Sequence, residues 1–219
     1  MKIIEYKREI ANMGNRERII ESTIELMNKS GSSVGTTQLI NHLGISPGNL
    51  YYHFRNREQI LEEVLRRLQD DLDDVLILRP EAPFDAKRLA QCFTGGARVL
   101  WKYRFFFSSS RELVMNTSSL AEPYRAFFER GISQVDEVLA QALQVAPGAL
   151  QLDTPERKVL AENMWVLWTS WPQYAEVTAG QRAAKKDIRR SLLQLIFLIK
   201  PYIAQPFFAE VLRLCHQES

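Results

Sequence analysis

Apolar residues along this chain recur at intervals of three and four, and no apolar–polar alternation bounded by turn residues suggests a strand, so the pattern predicts an all-α fold. Ile20, Ile24 and Met27 form one stripe of a first helix over residues 15–30, which closes at Ser30-Gly31. Gly35-Thr36 opens a short second helix to about His42, with Leu39, Ile40 and Leu43 turned inward. Gly44 ends it, Ser46 caps a third helix over 47–53, and Pro47 takes the first helical position, where a missing N–H costs nothing. Asn56, with Gln59 three residues on, resembles a capping box for a fourth helix over 57–78. Its apolar line runs through Ile60/Leu61, Val64/Leu65, Leu68, Leu72 and Val75/Leu76.

The proline-punctuated "RPEAP" at 79–83 predicts a domain boundary. It separates a small N-terminal domain, residues 1–60 with helix four leading out of it, from a larger helical domain over 80–219. Helices are expected there at 85–104, 109–116, 119–144, 154–178, 182–203 and 206–216.

The third helix is the most informative. With about 100° per residue and Leu50 at zero, Phe54 falls at about 40°, so Leu50 and Phe54 mark the buried side. Tyr52 then points away, flanked by Gly48 and Asn49, with Tyr51 and His53 on the shoulders. Such a face, delivered by a tight glycine turn from a preceding short helix, suits the major groove of DNA. Tyr, His and Asn carry tips for phosphate oxygens and base edges, Gly48 permits close approach, and Arg55 and Arg57 bring positive charge. The other reading of an isolated ring cluster is plain core; here the turn and caps around it favour recognition.

Composition is that of an ordinary folded protein, 46% hydrophobic and 25% charged, and the net charge of +2 marks no nucleic-acid binder unless the charge is concentrated on one face. Cys92 and Cys215 lie too far apart for a CxxC site and read as free thiols of a cytoplasmic protein. No secretory signal and no membrane-length apolar run is visible: the most apolar stretch, Leu192 to Ile199, is broken by Gln194 and stopped by Lys200-Pro201. The residues at the start, Lys2, Lys7 and Arg8, could follow a minor groove as basic arms do, although Glu5 and Glu9 offset them and Met13 is an alternative start.

In order, Thr36-Thr37, Leu43-Gly44-Ile45, Leu50-Tyr51-Tyr52-His53-Phe54 and Arg57-Glu58-Gln59-Ile60 resemble the signature of the TetR family of bacterial transcriptional regulators, over about residues 15–65. The resemblance implies a homodimer that binds a roughly palindromic double-stranded operator, usually as a repressor, and lets go when a small molecule enters the C-terminal domain. Carried over by position, it sets Thr37 and Tyr51 on phosphate beside Thr36, and makes Gln38 the helix-two residue nearest base edges. Ser46, Pro47, Gly48, Asn49, Tyr52 and His53 line the groove, and Arg57 meets phosphate. Gln38 stands where some members carry arginine, which exchanges a bidentate guanine contact for one suited to adenine.

All four tryptophans lie after the boundary. Trp101, Phe105, Met115, Tyr124, Phe128, Trp165 and Trp168 are the candidate walls of an effector pocket, although aromatic residues at helical spacing read equally well as core. Residues 188–199 are apolar on nearly every side, which demands burial on two faces. The family pairs its last two long helices across the dimer, so residues 156–176 and 184–200 are the candidates, with Ile188, Leu192, Leu195, Ile196 and Ile199 at the interface. Asp70, Asp71, Asp73 and Asp74 are spread around their helix and read as a solvated acidic face, not a metal site. An all-α enzyme or a helical adaptor is the competing class. No metal motif joins His42, His53 and His216 and no GxSxG nucleophile appears, so the reading is a non-enzyme without cofactor.

Overall fold

A computed structural model describes residues 14–78, 83–148, 150–179 and 185–218. The expected arm at Lys2, Lys7 and Arg8, and most of the expected boundary at 79–83, lie outside the described residues. The helices, in chain order, are α1 Asn15–Ser30, α2 Thr36–Leu43, α3 Pro47–His53, α4 Arg57–Leu76, α5 Ala86–Lys102 and α6 Arg104–Ser108. They continue with α7 Ser110–Asn116, α8 Ser118–Val145, α9 Thr154–Ala179, α10 Lys185–Ile199 and α11 Gln205–Glu218. Among the described residues the sole extended pairing is an isolated bridge between Pro147 and Ile203.

Local chemistry accounts for the element ends. Gly44 takes a left-handed φ of 64° and returns its N–H to the Ile40 carbonyl, which ends α2 in the conformation glycine adopts without strain. The Ser46 hydroxyl accepts the Asn49 N–H at 3.2 Å, and Pro47 follows it as the first residue of α3. Asn56 accepts the Gln59 N–H at 2.9 Å, and the Gln59 side chain reaches back to the Arg55 N–H at 2.7 Å, one residue beyond the expected capping box. Two expectations need correction. The run Arg104–Ser108 forms its own short helix, because Phe105, Phe106 and Phe107 are all buried. The helix expected to reach 203 ends at Ile199: Pro201 cannot continue it, and Ala204 instead donates its N–H to the Ala146 carbonyl at 3.0 Å. Gly148 makes this loop pairing possible, since a Cβ there would lie 2.5 Å from the Tyr202 carbonyl carbon.

The chain divides into two compact units, one formed by residues up to Arg67 with Ser109–Tyr124, the other by Leu68–Ser108 with Arg125 onward. In the first, Ile19, Ile20, Ile24, Met27, Leu39, Leu50, Phe54, Ile60, Leu61 and Val64 form the core. Ile40 and Leu43, expected inward, are half-buried. An ionic cluster joins α1 to α4. Arg67 holds Glu17 through two hydrogen bonds, and Arg16 meets Glu63 at 3.0 Å while capping the Phe54 ring at 5.1 Å. The Arg66 hydrogen bonds, then Arg16, outweigh burial and hold the Glu63 carboxyl down at about 2.

In the second unit α5 is the central helix, packed by α9, α10 and α11, and α9 also packs against α6 and α10. The acidic cluster on α4 is not simply solvated: Asp71 takes Lys102 at 3.1 Å and the Tyr103 hydroxyl at 2.8 Å, and Asp73 takes Arg130 at 2.6 Å. Three side chains from beyond α4 thus engage two of the four aspartates.

Candidate nucleic-acid interface and effector site

Seven residues of α3 present two opposite faces. Leu50 and Phe54 are each 1% exposed, whereas Tyr52 is 84% and Tyr51 51% exposed. His53 is half-buried and meets Tyr52 edge-on, with ring centroids 5.0 Å apart. Ser46, Pro47 and Gly48 are exposed and Asn49 is half-buried. A Cβ on Gly48 would meet nothing nearer than the Ser46 hydroxyl at 4.0 Å, so packing within the protein gives no reason for glycine there. The open space lies on the outer face.

On α2, Thr37 and Gln38 are exposed and Thr36 is half-buried. The Gln38 side chain is engaged locally, its Oε1 accepting the Gly35 N–H at 3.0 Å, so it serves as part of the helix cap. Arg57 is also engaged. Its Nε donates to the Val34 carbonyl at 2.8 Å and its Nη2 to the Ser32 carbonyl, which fastens the start of α4 to the α1–α2 loop. From the same loop the buried Ser32 hydroxyl donates to Glu112 of α7 at 2.6 Å. A cleft of about 290 Å³ lies among Ser32, Ser33, Gly35, Arg57, Glu112, Leu113 and Asn116. Sequence reasoning missed this arrangement because nothing near Ser32 signals a partner 80 residues away.

The seven residues expected to wall one pocket do not share a unit. Met115 and Tyr124 belong to the first, and Met115 is 74% exposed. Burial pushes the Tyr124 phenol upward despite a hydrogen bond with Ser110. Trp101, Phe105, Phe128, Trp165 and Trp168 belong to the second unit. Trp165 meets Phe127 and Phe128 at centroid distances of 5.5 and 5.9 Å, and Trp168 meets Phe93 at 6.3 Å. Two helix-interior glycines make room for these indoles: a Cβ on Gly131 would overlap the Trp165 ring, and one on Gly96 the Trp168 ring. A glycine in mid-helix was the available signal, because it costs helix stability and so implies a packing reason.

The residues expected at a dimer interface sit elsewhere than expected. Leu192, Leu195, Ile196 and Ile199 are at most 2% exposed inside their own chain, and Ile188 is half-buried. The physical reason is that α10 packs on α5, α9 and α11 at once, which uses its most apolar face. Apolar residues left outside are Val159, Val166, Tyr174 and Val177 on α9 and Phe197 on α10. Cys92 and Cys215 are both buried, and burial raises the Cys92 thiol to about 11, far from a reactive thiolate. Among the described residues no helix is long and apolar enough to cross a membrane.

A family described as bacterial transcriptional repressor matches residues 59–211, and one described as bacterial regulatory proteins, tetR family, matches residues 19–64. No curated protein sequence matches the chain. A solved TetR-family transcriptional regulator from Marinobacter aquaeolei VT8 is 26% identical, with a TM-score of 0.81 over 94% of this chain and 99% of its own. The TetR family protein CprB from S. coelicolor A3(2) is 18% identical, with a TM-score of 0.66 over 93% of this chain and 96% of its own. A gamma-butyrolactone receptor, an ArpA-like protein, is 16% identical, with a TM-score of 0.64 over 93% of this chain and 95% of its own. The last two share the fold. With a family match spanning more than half its length, the chain belongs to the TetR family of bacterial transcriptional regulators, DNA-binding proteins and not enzymes.

Proposed function

We propose that this regulator is a repressor that binds a roughly two-fold operator as a homodimer and releases it when a small molecule enters the second unit. The observation that carries the DNA half is the outer face of α3, where two tyrosines stand free while Leu50 and Phe54 hold the helix to its core. Tyr51, with Thr36 and Thr37, contacts phosphate, and Ser46, Pro47, Asn49, Tyr52 and His53 line the groove, with Gly48 allowing close approach.

Two assignments change in the light of the hydrogen bonds. With Oε1 held in the α2 cap, Gln38 presents its Nε2 donor outward and reads an acceptor on a base edge, not the donor–acceptor pair of adenine. With the Arg57 guanidinium on loop carbonyls, the exposed Arg55 is the freer cation for phosphate.

Dimerisation runs through the exposed stripe of α9, Val159, Val166, Ser170, Tyr174 and Val177, together with Leu193 and Phe197 of α10. These residues recur at helical spacing on single faces, and a second reading head is needed because one short helix binds weakly. Both α4 and α8 run without a break through the points where the two units divide. A rearrangement in the second unit therefore has two continuous helices by which to change the separation of the heads, and half-site spacing is strict. The likeness to a gamma-butyrolactone receptor supports a small-molecule effector in kind, not in identity.

The test is a gel shift on promoter fragments at two salt concentrations. The expected result is specific binding that weakens steeply with salt and is lost in Tyr51→Ala and Tyr52→Ala, both of which stay folded. Binding that ignores both substitutions would remove α3 as the reading head.

A further inference from the structure

Among its described residues the second unit buries three side-chain hydrogen-bonding atoms that no protein group satisfies: Nε1 of Trp165, Nε1 of Trp168 and Oε1 of Gln134. These residues are 0%, 2% and 6% exposed. Buried polar atoms are almost always paired, because an unpaired one forfeits its water without replacement. Two of them stand one turn apart on α9, the Trp165 ring against Gly131 of α8 and the Trp168 ring against Gly96 of α5.

The orientation of Gln134 is fixed by chemistry. Its Nε2 donates to the Asp73 carboxylate at 2.7 Å, an acceptor-only group, so the amide oxygen is necessarily the end left unpaired. The position of the Trp165 indole is fixed by Gly131: its Cε2, the atom that bears Nε1, lies 2.7 Å from where a Gly131 Cβ would be. Gln134 is three residues further along the same face of α8. The Trp165 indole and the Gln134 side chain therefore both lie along one face of α8. Phe127 and Phe128 stand against the Trp165 ring and Phe93 against the Trp168 ring, and the carboxylate held by Gln134, Asp73, is already matched by Arg130 at 2.6 Å. An ion arriving here meets no counter-charge and loses its hydration.

We infer that the effector is an uncharged, ring-containing molecule that accepts hydrogen bonds from the Trp165 and Trp168 indoles and donates one to the Gln134 carbonyl. This rests on the reading of the second unit as the effector domain. It also supplies a route to α4, because the amide that meets the effector is the amide that holds Asp73, alongside Gln69 at 2.7 Å and Arg130.

The experiment uses the full-length protein with ¹⁵N-labelled indoles, assigned through Trp165→Phe and Trp168→Phe, and three matched probes. These are 4-hydroxyacetophenone, 4-isopropyltoluene of nearly the same shape without polar atoms, and the anion 4-hydroxybenzoate. Expected is roughly tenfold tighter binding of 4-hydroxyacetophenone than of either comparator. The indole N–H signals of Trp165 and Trp168 shift downfield with it alone. In the double Phe variant, or in Trp168→Phe if the double variant loses its helical circular dichroism, the preference falls towards unity while 4-isopropyltoluene still binds. Equal affinity for the two neutral probes, a preference for the anion, or a preference that survives the Phe substitutions overturns the inference and leaves the effector domain standing. If no probe perturbs any indole while operator binding is intact, the effector reading of this unit fails with it.

Discussion

Tyr52 of α3 and Trp165 of α9 are both large rings with a single hydrogen-bonding tip, yet one is 84% exposed and the other 0%. The difference lies in what surrounds each. A seven-residue helix anchored by Leu50 and Phe54 has only one side to bury, so its remaining rings must face outward. A 26-residue helix packed on several neighbours buries rings on more than one side, and glycines opposite Trp165 and Trp168 are the sockets. In the first unit a polar tip is left in solvent; in the second it is buried and unpaired.

The sharpest way to break this contrast is a pair of ring deletions. Phe54→Ala should lose about 3–5 kcal/mol of stability in chemical denaturation, the usual cost of removing a buried phenylalanine. Tyr52→Ala should change stability by less than about 0.5 kcal/mol and weaken operator binding by about 1–3 kcal/mol. Similar stability losses would mean that Tyr52 is core after all.

A second pair separates the chain's own core from the proposed dimer face. Leu195→Ala should destabilise by about 2–5 kcal/mol. Val166→Asp, on the exposed stripe of α9, should leave helix content intact and shift light scattering from dimer to monomer, with operator affinity falling alongside. A dimeric Val166→Asp protein would move the interface elsewhere.

Adding one methyl gives the third comparison. Gly131→Ala puts a Cβ into the Trp165 ring and should destabilise by about 1–3 kcal/mol, read as a drop in Tm. Gly48→Ala has room and should leave Tm unchanged or slightly raised while lowering DNA affinity. Normal DNA binding by Gly48→Ala would show that close approach at that position is not needed.

The smallest effect concerns acid. Glu63 titrates at about 2 in the folded chain and ordinarily at 4.5, so its contribution is complete above about 4.5 and fades as the pH falls towards 2. Glu63→Gln should cost about 1–2 kcal/mol at neutral pH and flatten the decline of stability over that window. An unchanged acid profile would assign the decline to other carboxylates.

The helices of the first unit were legible because each is short, capped and punctuated: Gly44, Ser46, Pro47 and Asn56 bracket elements whose apolar positions fall on one stripe. The side of α3 that carries Tyr52 followed from the wheel for the same reason. The occupation of Gln38 and Arg57 was not legible, since a side chain can reach its own cap or a loop carbonyl as readily as a phosphate. Among the long helices the period located α9 and α10 but could not say which face meets the chain's own core. Leu192, Leu195 and Ile196 are as apolar as any interface residue, and only their packing on α5, α9 and α11 places them inside.

By itself, then, the sequence determined the all-α class, the order of the short N-terminal helices, the family and which side of α3 is left exposed, all of which depend on neighbours within a few positions. Only the tertiary structure decided that residues 109–124 group with the first unit, that α9 keeps an apolar stripe outside, and that Gln134 holds Asp73 of α4. Those outcomes turn on groups tens of residues apart, and hydrophobic periodicity, being local, carries no record of which distant face a helix will meet.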